Sequence, residues 1–134
     1  MGKELLNSDK ELLLIDLCAR LPYGVKCQIK GEEDFEPLKL KSFIQGKGFY
    51  AFDFYIKENS SLTFKELDEF KPYLFPLSSM TGRLKAELFN LRIDIEEPFQ
   101  DSLCEIDFYH KKHFDYRGLI EKGLAIDATG LNIY

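Results

Sequence analysis

Two hydrophobic rhythms alternate along this chain. Leu14, Leu17, Cys18 and Leu21 recur at helical spacing behind Ser8-Asp9-Lys10-Glu11, in which serine and glutamate can satisfy each other's backbone amides as a capping box. A helix is therefore predicted from Ser8 to about Arg20, stopped by Pro22-Tyr23-Gly24. The rhythm then shortens to two. Val25, Cys27 and Ile29 alternate with Lys26, Gln28 and Lys30, Leu38-Lys39-Leu40-Lys41 alternates again, and Tyr50, Phe52, Phe54 and Ile56 place bulk on one face of a third strand. With Gln45-Gly46-Lys47-Gly48 as a turn, these segments predict an antiparallel meander. Its other face, carrying Phe49, Ala51, Asp53 and Tyr55, is partly aromatic, which calls either for a covering helix, the expected case, or for a bound partner.

Beyond Asn59-Ser60-Ser61 the pattern turns helical over residues 64–70. Tyr73-Leu74-Phe75-Pro76-Leu77 is apolar, but Pro72 and Pro76 argue against a central strand and for an extended connection across the core. Ser78, Ser79 and Thr81 are candidate caps for a helix carrying Leu84, Leu88 and Leu91. A second capping box, Ser102 to Glu105, opens a helix to about Phe114; at about 100° per residue, Ile106, His110, His113 and Phe114 share its apolar side. A short helical turn at residues 119–122 and an irregular tail complete the reading. The predicted fold is α+β: an N-terminal helix, a three-stranded antiparallel meander, and C-terminal helices packed on the sheet.

Composition narrows the class. A chain of 134 residues removes about two-thirds of its unfolded surface on folding, which suits one domain over residues 1–134. Its 45% apolar content, with 12 Phe and 7 Tyr, rules out a disordered chain. The net charge of -5 argues against wrapping phosphate backbones, although four lysines against Asp53 alone between Lys39 and Lys57 make a local basic stretch. Cys18, Cys27 and Cys104 form no CxxC pair and no disulfide framework, which points to a reducing compartment. Lacking an apolar run of about 20 residues and a signal-peptide core, the chain is expected in the cytoplasm with no membrane partner. Gly2 lacks the Ser or Thr at position six that myristoylation needs, because Leu6 stands there.

Chemistry concentrates in His110-Lys111-Lys112-His113-Phe114-Asp115-Tyr116-Arg117-Gly118. Two histidines at i and i+3 can reach one metal ion with Asp115 as a third ligand, but Lys111 and Lys112 fill the gap where zinc-protease motifs carry a glutamate. An acid/base pair would need a nucleophile beside a histidine, and Cys104 lies about 120° from His110 around the helix. The structural alternative has Asp115 capping the following turn, Arg117 bonding carbonyls of the preceding helix and Gly118 taking a positive φ. Asp16 and Arg20, at i and i+4, read as an ordinary surface pair. No Gly-rich phosphate cradle occurs, so no cofactor is called for, and no residue is assigned a catalytic or metal-binding role.

Three stretches, 16–25 (DLCARLPYGV), 71–81 (KPYLFPLSSMT) and 113–125 (HFDYRGLIEKGLA), in this order, resemble a group of small proteins that recur in genomes, prophages and phages of gut Bacteroidales. In that group acidic residues tend to follow the Ser-Ser-Met-Thr motif, whereas this chain has Gly82-Arg83. The resemblance implies a mobile-element setting and brings no catalytic residue or ligand with it. The expectation is a non-enzymatic accessory protein that binds a host or phage protein through His110, His113, Asp115, Tyr116 and Arg117. The runner-up is nucleic-acid binding on the lysine-rich strands. A third reading is a metal-dependent enzyme at His110, His113 and Asp115.

Overall fold

Helix α1 (Asn7–Arg20) forms one residue ahead of the predicted Ser8 cap. The computed structural model describes residues 7–31, 36–46, 49–55, 65–93 and 98–134. The buried stripe of α1 is centred on Leu13 and Leu17, with Leu14, Cys18 and Leu21 only partly buried. Asp16 and Arg20 fall on this stripe, three and seven residues after Leu13, and both are fully buried. They are not the surface pair that their spacing suggested. A 3₁₀ turn (Leu21–Tyr23) then reverses the chain at Gly24, whose φ of 70° suits glycine.

The three-stranded meander is present: β1 (Lys26–Ile29), β2 (Leu38–Gly46) and β3 (Phe49–Phe54) pair antiparallel in chain order. The ladder between β2 and β3 shifts register between Leu40 and Ser42. Residues 32–35 and 47–48, the acidic run and the tip of the predicted turn, lie outside the described residues. Phe52 and Phe54 turn inward as predicted and meet the Phe70 ring edge-on at 5.3 and 5.0 Å. With Leu13, Leu17, Val25, Cys27, Leu40 and Leu74 they form the main core. On the opposite face Tyr55 is 56% and Ile44 49% exposed while Asp53 is buried at 5%, and no helix among the described residues covers it.

The sheet is larger than the predicted meander. Its strand order is β3-β2-β1-β4-β5, where β4 is Phe70–Pro76 and β5 is Phe114–Asp115; β6 (Ile126–Asp127) also pairs with β4. The proline-flanked segment is thus an internal strand, contrary to the expected connection. Its geometry explains the tolerance. The Lys30 amide donates to the Glu69 carbonyl at 2.8 Å, and alternation along the antiparallel ladder makes the Cys27–Pro72 pair a non-hydrogen-bonded one. Pro72 therefore forfeits no bond to β1, and Pro76 closes the strand.

Strand β4 also changes partners along its length. The Phe75 amide donates to the His113 carbonyl and the Leu74 carbonyl accepts from the Ala128 amide, both at 2.8 Å. Consecutive residues of a strand offer their polar groups to opposite edges, so β5 and β6 flank β4 on opposite sides, both parallel to it. The supposedly irregular tail thus contributes a strand.

Helices α2 (Gly82–Ile93) and α3 (Pro98–Lys111) pack on each other beside β5. Leu88, Phe108 and Phe114 make this second, smaller core, with Leu84 partly buried against it and Leu91 40% exposed. The Leu84 amide is 3.2 Å from Thr81 Oγ1, which is the predicted cap. Helix α3 starts well ahead of Ser102, and the predicted turn in 64–70 is a short 3₁₀ element, Leu67–Glu69. Among the described residues no helix is long and apolar enough to cross a membrane.

Candidate functional site

Helix α1 carries one buried carboxylate that serves two arginines. Arg20 Nε donates to Asp16 Oδ2 at 2.7 Å, and Arg117 Nε donates to Asp16 Oδ1 at 3.1 Å. Arg20 Nη2 donates to the Phe114 carbonyl at 2.5 Å, while the buried Arg20 Nη1 makes no hydrogen bond among the described residues. Arg20 thus does what was expected of Arg117, holding a carbonyl just past α3. Arg117 instead reaches back across the fold to α1.

Arg117 is held on a second side. Its Nη2 donates to the Tyr116 hydroxyl at 2.8 Å, and its guanidinium lies 4.8 Å from the centre of that ring. The same hydroxyl is 2.6 Å from His110 Nε2. The phenol oxygen accepts from arginine, and its own proton can go to His110 Nε2 when that histidine is the neutral Nδ1-protonated tautomer. Burial holds the His110 pKa below its ordinary value, and Arg20 reinforces the shift. Tyr109 stacks on Tyr116 with ring centroids 5.6 Å apart. Asp16, Arg117, Tyr116 and His110 therefore form one continuous chain of hydrogen bonds joining α1 to the end of α3.

The other two singled-out residues go elsewhere. Asp115 caps the next turn as expected: Oδ1 accepts from the amides of Arg117 (3.3 Å) and Leu119 (3.0 Å), and Oδ2 from that of Ile120 (2.9 Å). Gly118 takes a φ of 75°, also as expected. His113 ends the helix in the left-handed conformation, φ 64°, where glycine or asparagine is usual. Its ring stacks on Tyr134 at 3.7 Å and 12°. Burial, with Arg20 and Lys26 nearby, lowers the His113 pKa to about 4, and Nδ1 is buried without a hydrogen-bond partner among the described residues.

Tyr134 was invisible to pattern reading. Its hydroxyl accepts from the Lys26 amide at 2.8 Å and donates to the Tyr73 carbonyl at 2.7 Å. By register, Lys26 and Tyr73 would be the next hydrogen-bonded pair of the β1–β4 ladder, so the phenol spans the point where β5 takes over from β1. Lys26 Nζ anchors the same segment through the Ile133 carbonyl at 2.7 Å. Nothing in hydrophobic periodicity foretells a side chain used as a backbone substitute.

The cluster is a hydrogen-bonded structural network rather than a set of convergent ligands. His110, His113 and Asp115 engage three different partners, and among the described residues no three His, Cys, Asp or Glu side chains converge as a metal site. Cys18 and Cys27 are free thiols whose pKa values burial raises. Arg117 retains 24% of its side-chain exposure, and its Nη1 has no hydrogen bond among the described residues. No protein-family model, curated protein or solved structure matches the chain.

Proposed function

We propose that this chain is a protein-binding accessory module whose partner docks on Tyr116 and Arg117. One observation carries the reading. Arg117 is clamped between a fully buried carboxylate and a tyrosine hydroxyl, yet 24% of its side chain is in solvent. Tyrosine and arginine dominate binding hot spots, and side chains already fixed in one rotamer lose little entropy on association. His110 acts behind them by positioning the phenol, and Asp115 by fixing the backbone of Arg117. In this proposal the partner is a host or phage protein, the setting that the resemblance to Bacteroidales prophage proteins suggests.

The test is a tagged, nuclease-treated capture from a Bacteroidales host lysate, comparing wild type with a Tyr116→Ala/Arg117→Ala variant and with Arg117→Lys, each checked for its melting transition. The reading expects one stoichiometric protein partner, lost from variants that remain folded. Equal capture by a folded variant, or recovery of nothing beyond nucleic acid, contradicts it.

A further inference from the structure

The open face of the β2–β3 hairpin presents a second patch, distinct from the Arg117 surface. Strand alternation places Tyr55 on the face opposite inward-turned Phe52 and Phe54, and more than half of it is in solvent. Two ammonium groups lie over its ring, Lys39 Nζ at 5.9 Å and Lys41 Nζ at 5.7 Å from the centroid, contacts that an incoming base would replace. Each is held there. The Lys39 stem crosses over Gly24, where a Cβ would lie 2.6 Å from Lys39 Cε, and Lys41 Nζ is 3.9 Å from Asp53 Oδ2. The Tyr55 amide bonds the Lys39 carbonyl at 2.9 Å, fixing ring and lysine on neighbouring strands. Ile44, 49% exposed, extends the apolar surface along β2.

From this juxtaposition we infer that the face binds single-stranded nucleic acid, one base stacking on Tyr55 and the flanking phosphates meeting Lys39 and Lys41. Charge complementarity chooses the occupant. Among the described residues Lys39 has no carboxylate partner and Lys41 meets Asp53 alone, a local excess of cations on a chain of net charge -5. An aromatic ring between cations on a sheet surface matches how single strands are held, because every base offers a π-face and every linkage a phosphate. A duplex, whose bases are stacked inward, cannot use the ring. The net negative charge then limits binding to a short, local contact.

Fluorescence anisotropy of labelled oligothymidylate and oligouridylate, about a dozen nucleotides long, tests the inference against a duplex of equal length. Saturable binding to the single strands is expected. Its logarithmic salt slope should be roughly −1.4, at about 0.7 for each of two neutralised phosphates. Tyr55→Ala should weaken affinity about tenfold. Lys39→Glu/Lys41→Glu should abolish it, and photocrosslinking of 4-thiouridine-labelled strand to wild type should modify Tyr55 itself. No saturable binding at low salt, equal affinity of folded variants, crosslinks confined to other residues, or a self-association that Tyr55→Ala removes would each overturn it.

Discussion

Asp16 and Arg117, 101 residues apart in sequence, meet at 3.1 Å through a carboxylate that has no exposed surface. The same carboxylate holds Arg20 at 2.7 Å, so one acid ties helix α1 to the segment that carries Tyr116 and Arg117. Removing it leaves a fully buried guanidinium uncompensated. Asp16→Asn should therefore destabilise the fold by about 3–5 kcal/mol in urea unfolding. A loss below about 1 kcal/mol, the scale of a surface pair, would show that the carboxylate is not buried between two cations.

His113 makes stability depend on pH in a definite direction. Its folded pKa of about 4 lies below the ordinary 6.5, so between these values the unfolded chain binds the extra proton and the folded chain resists it. The stabilising contribution is complete above about pH 6.5 and is lost as pH falls toward 4. His110, also lowered, adds to the same slope. Melting temperatures across this window should fall with acidity for wild type and fall less for His113→Asn, which tolerates the positive φ without the titrating ring. Parallel curves for the two proteins would locate the slope elsewhere.

Tyr134→Phe isolates the hydroxyl from the ring. The stack on His113 remains, while the Lys26 amide and the Tyr73 carbonyl lose their partner. Losing these partly exposed hydrogen bonds should cost about 0.5–1.5 kcal/mol. Hydrogen exchange should quicken at Lys26 and stay unchanged in α1. Unaltered Lys26 protection would mean that the phenol does not bridge the strands.

Asp115 tests the capping role against a binding role. Asp115→Ala strips acceptors from three amides and should lower stability by about 1–3 kcal/mol, with faster exchange at Leu119 and Ile120. Asp115→Asn, which keeps one carbonyl acceptor, should recover part of the loss. Full stability in Asp115→Ala would contradict the cap.

The parts of this fold legible in the sequence are those governed by local rules. The period-two rhythm located β1 to β3, the helical rhythm located α1 and α2, and Asp115 and Gly118 behaved as their turn chemistry requires. Long-range partnering was not legible. Pro72 disguised an internal strand because its missing donor matters only on the hydrogen-bonded side of a ladder, and register decides which side that is. Asp16 and Arg20 looked like a solvent pair because an i,i+4 spacing is the same whether the helix face is wet or buried. Their position relative to Leu13 and Leu17 held the signal. Of the dense cluster, sequence found His110, Tyr116 and Arg117, but only folding shows that Asp16 joins them and that His113 turns to Tyr134.

The proposed binding role requires that Arg117 be fixed in the isolated protein. Nitrogen-15 relaxation of the arginine Nε–Hε groups in the isolated protein measures this directly. Arg117 should give a slowly exchanging, well-ordered signal beside that of Arg20, and Asp16→Asn should release it to the mobility of a surface arginine. An Arg117 signal already averaged in the wild-type protein would contradict the preorganised surface.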